Sequence, residues 1–124
     1  MQRPTNLGFF VCRRDTNELV GVVNVTQIAR GNLRSAYLGY YAFAPHARQG
    51  FMTEGVSLVI AALFGRLRMH RVEANIQPGN TASRRLARRL GFRREGFSPR
   101  YLKVRGQWRD HERWALLADE GGRR

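Results

Sequence analysis

The run Ala47-Arg48-Gln49-Gly50-Phe51-Met52 joins an aromatic segment to an amphipathic one, and its residue types suit the binding of phosphate. A glycine lets the backbone approach a ligand closely. The first turn of a following helix leaves N–H groups without carbonyl partners, and the helix dipole makes the same spot positive. Arg48 and Gln49 add a charge and further donors. Arginine also grips phosphate through paired N–H groups. A pyrophosphate fits such a loop, and so does an ordinary strand-to-helix turn that contains glycine. The loop alone does not separate the two.

Other chemistry-bearing residues lie downstream. Asn80-Thr81-Ala82-Ser83 opens a second helical pattern and Leu90-Gly91-Phe92 ends it. Asn80 and Ser83 read equally as helix caps or as ligand contacts. Glu54 stands early in its helix, where a carboxylate favours the dipole, and Glu73 stands among arginines that can pair with it. His46, His70 and His111 are far apart and lack zinc spacing, so no metal site is expected. Cys12 is the single cysteine and lies in an apolar run, which reads as a buried strand thiol with no disulfide partner.

The elements that must position these residues follow from hydrophobic rhythm and turn chemistry. Residues 7–14, 19–27 and 35–43 read as three strands of an antiparallel meander, with Gly21 as a bulge candidate. Pro45 closes the third strand. Met52, Val56, Val59, Ile60, Leu63, Phe64 and Leu67 set a helix over 53–68, with Arg66 and Arg68 in its last turn. A short strand covers 71–77, followed by the turn Pro78-Gly79. Asn80 or Thr81 caps the next helix, and Gly91 is placed to end it in the left-handed conformation. That helix turns Ala82, Leu86 and Leu90 inward and Arg84, Arg85, Arg88 and Arg89 outward. Residues 96–104 and 108–117 form a hairpin around Arg105-Gly106-Gln107. The order is β-β-β-α-β-α-β-β. The fold class is therefore α/β (α+β), a mixed, mostly antiparallel sheet with helices on its faces, in one domain spanning 1–124. A right-handed crossover lets the third and fourth strands lie parallel.

Composition narrows the function classes. No apolar run approaches the roughly 20 residues of a membrane span. The N-terminus is not that of a secretory signal. A soluble protein of the cytoplasm is expected. The net charge is +13, and Lys103 is the only lysine among 22 basic residues. This balance suits a polyanionic partner such as nucleic acid, the ribosome or a phosphorylated cofactor, and it also arises in genomes rich in arginine codons.

The loop, Asn80 to Ser83 and Gly91-Phe92 together resemble the GNAT superfamily of N-acetyltransferases in order and spacing. Tyr37-Leu38-Gly39-Tyr40, His70-Arg71-Val72 and Gly106-Gln107-Trp108-Arg109-Asp110-His111 make the chain look more closely like the Rim-type branch, the ribosomal-protein N-terminal acetyltransferases. The resemblance runs over residues 21–117. It implies acetyl-CoA as co-substrate and no metal. It places the pyrophosphate on Arg48, Gln49, Gly50, Phe51, Met52 and Thr53. The pantetheine arm would lie along Tyr41, Ala42 and Phe43, where the third and fourth strands splay, and Asn80 and Ser83 would contact the cofactor. Ser83, with Tyr101 as runner-up, is the candidate acid for the leaving thiolate. Glu73 or Glu54 is the candidate base, and backbone N–H groups would steady the oxyanion. The chain departs from the family pattern at Ala47, where Gln or Arg is usual, and at Arg48, often Gly in the branch. It departs again at Arg100, where the branch often carries a carboxylate.

Relatives usually begin with a further strand and helices that wall the acceptor site. This chain starts at what resembles their second strand, so an exposed edge and association with a second copy are expected. Three functions compete: acetylation of a protein N-terminus, with possible ribosome association; acetylation of a small amine; and a non-catalytic, basic nucleic-acid-binding protein on the same fold. Trp108 and Asp110 are expected to hold the final hairpin rather than touch substrate.

Overall fold

Alternating apolar residues and well-placed turns build one mixed sheet. The computed structural model describes residues 5–43 and 50–121. In chain order the elements are β1 (Leu7–Cys12), β2 (Leu19–Ala29), β3 (Ser35–Ala42), α1 (Phe51–Phe64), β4 (Arg71–Ile76), α2 (Thr81–Arg89), β5 (Arg93–Val104), β6 (Gln107–Leu117) and the short α3 (Ala118–Gly121). This is the expected order with α3 added. The strands form a six-stranded sheet in the order β1-β2-β3-β4-β6-β5. Every neighbouring pair is antiparallel except β3 and β4, which run parallel.

Both helical connections cross the sheet in the same direction. β3 returns through α1 to the parallel strand β4, and β4 returns through α2 to β5, which is also parallel to it. Right-handed crossovers in one direction put both helices on one face. That face supplies Ala36, Leu38, Val72, Ala74, Ile76, Trp114 and Leu116, buried with Val56, Val59, Ile60 and Leu63 of α1 and Ala87 of α2. Residues of opposite parity make the second face. It carries Tyr37 and Tyr41 of β3, Arg71, Glu73 and Asn75 of β4, and His111 and Arg113 of β6.

Several boundaries differ from those the sequence suggests. α1 starts at Phe51 and stops at Phe64, where Gly65 donates its N–H to the Ala61 carbonyl at 2.9 Å. The chain then leaves through Arg68 at a left-handed φ of 56°, and the Met69 N–H meets the Leu63 carbonyl at 2.8 Å. Arg66 and Arg68 therefore lie beyond the helix, not in its last turn. Leu67 and Met69 still pack on the core, so the apolar rhythm outlasts the helix. Cys12 is exposed rather than buried, because β1 is an edge strand and Phe10 and Cys12 share its outward side. Ala82 is exposed too, and Ala87 is the alanine that α2 buries. The hairpin turn is two residues long. Arg105 and Gly106 both have positive φ, 52° and 82°, as a type I′ turn requires, so Gln107 already belongs to β6.

Candidate functional site

β3 and β4 pair over three positions only: Ser35 with Arg71, Ala36 with Val72, and Tyr37 with Glu73. Beyond these the strands part. β3 stays paired with β2 through Ala42, and β4 stays paired with β6 through Ile76. The facing edges, Leu38 to Ala42 and Ala74 to Ile76, have no strand partner among the described residues. Backbone donors and acceptors on such an edge call for a partner. The result is a fork with its apex at Tyr37 and Glu73 and its mouth at the C-terminal ends of both strands.

α1 begins at that mouth. Gly50 is its N-cap at a left-handed φ of 80°, and a glycine has no side chain with which to cap the first turn. The N–H groups of a helix's first turn point out of its end. Met52 is buried, so at this end it offers its backbone only, while Phe51 and Thr53 are half-buried. The Arg13 guanidinium lies 5.3 Å from the centre of the Phe51 ring, which brings a cation beside the helix start. Sequence reasoning missed Arg13, because the pairing of β1 with β2 and the packing of α1 on β1 bring it there. Ala47, Arg48 and Gln49 lie outside the described residues. Along β3, Tyr41 is exposed and its ring meets that of Phe43 edge-on, with centroids 5.4 Å apart.

The start of α2 is tied to β3 and to β6. The Asn80 side-chain oxygen accepts the Ser83 N–H at 3.1 Å, so Asn80 is the cap. The Tyr40 hydroxyl donates to the Ser83 carbonyl at 3.3 Å. Burial pushes the Tyr40 phenol up to about 12. Arg84 donates to the buried Glu112 carboxylate at 3.1 Å, and the Trp114 indole N–H donates to the same oxygen at 3.1 Å. Ser83 therefore approaches the fork from the helix-covered face.

The second face presents a different group. Arg71 Nε donates to Glu73 at 3.1 Å, and the two terminal nitrogens of Arg71 bond to both oxygens of Glu95. Those bonds hold the Glu95 carboxyl below its ordinary range. Tyr37, at the apex, lies beside Tyr101. Burial, then the charge of Glu73, holds the Tyr37 phenol above its ordinary value. The Tyr101 ring stands T-shaped to the buried His111 ring at 6.4 Å. His111 Nδ1 lies 2.9 Å from the Arg109 carbonyl oxygen. A carbonyl only accepts, so that nitrogen carries the proton.

The structure thus gathers Tyr41, Ala42, Phe43, Gly50, Phe51, Met52, Thr53, Asn80 and Ser83 around the mouth of the fork. It gathers Tyr37, Glu73 and Tyr101 at the apex. Glu54 stays on the exposed surface of α1 in its first turn. An open pocket of about 490 Å³ adjoins the mouth, lined by Gln77, Pro78, Gly79, Asn80, Trp108, Arg109 and Asp110. Among the described residues no cluster of His, Cys, Asp and Glu is placed to hold a metal, and no helix is long and apolar enough to cross a membrane.

Comparison with known proteins agrees with this geometry. Residues 1–93 match the family model described as the acetyltransferase (GNAT) domain. The chain is 38% identical over 112 residues to the "Probable N-acetyltransferase YjcK" of Bacillus subtilis, covering 90% of this chain and 61% of that protein. It is 38% identical over 106 residues to the "[Ribosomal protein uS5]-alanine N-acetyltransferase" of Escherichia coli, covering 86% of this chain and 55% of that protein. Among solved structures, Mycobacterium smegmatis RimJ in complex with CoA-disulfide superposes with a TM-score of 0.87 at 36% identity, covering 94% of this chain and 55% of that one. The chain therefore spans little more than half the length of these proteins.

Proposed function

The chain belongs to the acetyltransferase (GNAT) family, and from that premise we propose that it binds acetyl-CoA in the β3/β4 fork and transfers the acetyl group to a primary amine, the N-terminal amine of a protein. The observation that carries this reading is the fork itself, with the start of α1 at its mouth. Tyr37 to Phe43 covers six steps of about 3.3 Å, roughly 20 Å of open strand edge, which suits an extended pantetheine arm. The free edge of β3 pairs with the amides of that arm. The first-turn N–H groups of Met52 and Thr53, with Arg48, Gln49 and Gly50, take the pyrophosphate. Asn80 keeps its amide N–H₂ available while its oxygen caps α2.

Bound acetyl-CoA supplies an acetyl thioester. The protein orients it, removes a proton from the attacking amine and returns one to the departing sulfur as the N–C bond forms and the C–S bond breaks. Glu73 receives the amine proton through water while Arg71 holds its other side. Tyr101, at the apex where the reactive end of the arm arrives, protonates the thiolate. Ser83, nearer the mouth, is the second candidate for that role.

Two observations favour a protein N-terminus over a polyamine. The relative named for uS5 alanine acetylation shares 38% identity over 86% of this chain. The carboxylates of the second face, Glu73 and Glu95, are already bonded to Arg71, which leaves little negative charge for a polycation. With a net charge of +13, a cytoplasmic enzyme working beside ribosomal RNA is physically consistent.

The test has two steps. Acetyl-CoA at about a hundred times its dissociation constant should stabilise the fold by about 2.7 kcal/mol, read as a rise in Tm. Release of free thiol is then followed with alanine-initiated peptides and with spermidine. Peptide turnover is expected. No change in Tm removes the cofactor reading, and turnover of spermidine alone removes the protein N-terminus.

A further inference from the structure

Tyr101 reaches the fork because β5 is two residues too long for its partner. Ser98 faces His111, yet Leu102 faces Arg109, so Pro99, Arg100 and Tyr101 stand opposite the single residue Asp110. A regular ladder would pair Arg100 with Arg109 and Tyr101 with Trp108. Tyr101 would then share the side of Phe97, which pairs with Glu112 on the helix-covered face. Two extra residues leave the parity of Leu102 unchanged, since its partner Arg109 lies on the side of His111, but inside the bulge the left-handed Arg100 breaks the alternation. That break delivers Tyr101 to the second face, against His111 and Tyr37.

The device that holds the bulge is visible. Arg100 sits at a left-handed φ of 44°, a region that residues with a Cβ seldom adopt without support. Its N–H, lost from the ladder, donates to Asp110 Oδ1 at 2.8 Å. Pro99 has no N–H to leave unpaired, and its ring keeps Ser98 extended. Arg113 secures that end by donating to the Ser98 hydroxyl at 3.0 Å.

We propose that Asp110 is a positioning residue: by holding the Arg100 N–H it fixes the left-handed turn that aims the Tyr101 hydroxyl at the apex of the fork. The proposal rests on the reading of Tyr101 as the acid. It gives Asp110 a role that requires no contact with substrate, although the residue also borders the pocket beside Trp108. What matters is the acceptor oxygen rather than the charge, so Asp110→Asn, whose amide oxygen still accepts, is the conservative variant that restores function.

The experiment compares Asp110→Ala, Asp110→Asn, Tyr101→Phe and the double variant Tyr101→Phe/Asp110→Ala in the full chain. Asp110 is exposed, so its truncation opens no cavity in the core. The first readout needs no substrate: NMR of tyrosine labelled with ¹³C at Cζ. Asp110→Ala should move the Tyr101 and Tyr37 signals, and Asp110→Asn should leave both near their original positions. The second readout is kinetic. Asp110→Ala should lower kcat at least tenfold with the acceptor KM changed less than twofold, and should add less than a further twofold in the Tyr101→Phe background. Three results overturn the proposal: unmoved tyrosine signals in Asp110→Ala, penalties of Asp110→Ala and Tyr101→Phe that multiply, or a loss in Asp110→Asn equal to that in Asp110→Ala. A rise in acceptor KM alone would make Asp110 a substrate contact and also overturn it. If Tyr101→Phe keeps full kcat, the acid assignment falls instead, and the NMR comparison still decides the clamp.

Discussion

Ser83 and Tyr101 approach the fork from opposite faces of the sheet, and that difference separates two candidates the sequence leaves side by side. Ser83 is reached through Tyr40, three residues toward the mouth, while Tyr101 is reached through Tyr37 at the apex. A positioned acid contributes about 10²- to 10⁴-fold to a proton-transfer step. Tyr101→Phe is therefore expected to lower kcat about 100-fold, and Ser83→Ala no more than about threefold, by thiol release at saturating acetyl-CoA. The reverse ranking would return the acid role to Ser83. At this scale residue types were legible from spacing, since Asn80 caps α2 and Ser83 stands in its first turn, where the motif puts them. Partners were not. Arg71 bonds to Glu95 across 24 positions of sequence, and Arg13 comes to Phe51 from another strand. Only strand register brings such groups together.

At the scale of elements, the site depends on how closely α1 and β3 approach β2. A Cβ on Gly21 would fall on Met52 Sδ and come within 2.6 Å of the Tyr41 carbonyl oxygen. The carbonyl belongs to the backbone and cannot swing aside. Gly21→Ala is expected to destabilise the fold by about 1–3 kcal/mol, the range for overpacking a tight contact. It should also weaken acetyl-CoA, since both displaced groups stand at the mouth of the fork. Urea denaturation and a binding titration check the two effects, and unchanged values in both would mean that the contact relaxes freely. The sequence marked Gly21 as a special position but as a bulge candidate. The register skip instead falls at its neighbour Val20, between the pairs Val11–Gly21 and Cys12–Leu19. Strand and helix order came through because periods of 2 and 3.6 are set locally. The end of α1 did not, because Leu67 and Met69 continue its apolar rhythm after Gly65 has stopped the helix. The two extra residues of β5 left no local sign either, since a bulge is defined only against its partner strand.

For the whole molecule, alkaline pH tests the burial of the fork's helix-covered wall. The Tyr40 phenol titrates near 12 in the fold against an ordinary value of 10. A raised value in the fold means that the unfolded chain loses this proton first. Its contribution to stability is complete below pH 10 and declines as pH rises toward 12. Arginine keeps its charge through that window, so the chain stays cationic there. Denaturation midpoints should fall between pH 9 and pH 11.5, and Tyr40→Phe should flatten the fall. An equal slope in the variant would assign the loss to other groups, Tyr37 among them. The charge was legible in the composition, whereas the burial of Tyr40 against Ser83 needs the tertiary fold.

The fork also divides the molecule's cohesion. Three residue pairs join β3 to β4, and every other backbone ladder lies wholly within the ribbon β1–β3 or the ribbon β4–β6. Between these ribbons the joint is a short seam bridged by α1 and by the Tyr40–Ser83 bond. A chain-like ligand hydrogen-bonded to both open edges lengthens that seam, so occupancy and rigidity share the same bonds. Slow amide exchange in Leu38 to Ala42 would then be a property of the complex rather than of the polypeptide. Loss of such a ligand would leave the two ribbons joined by the short seam alone.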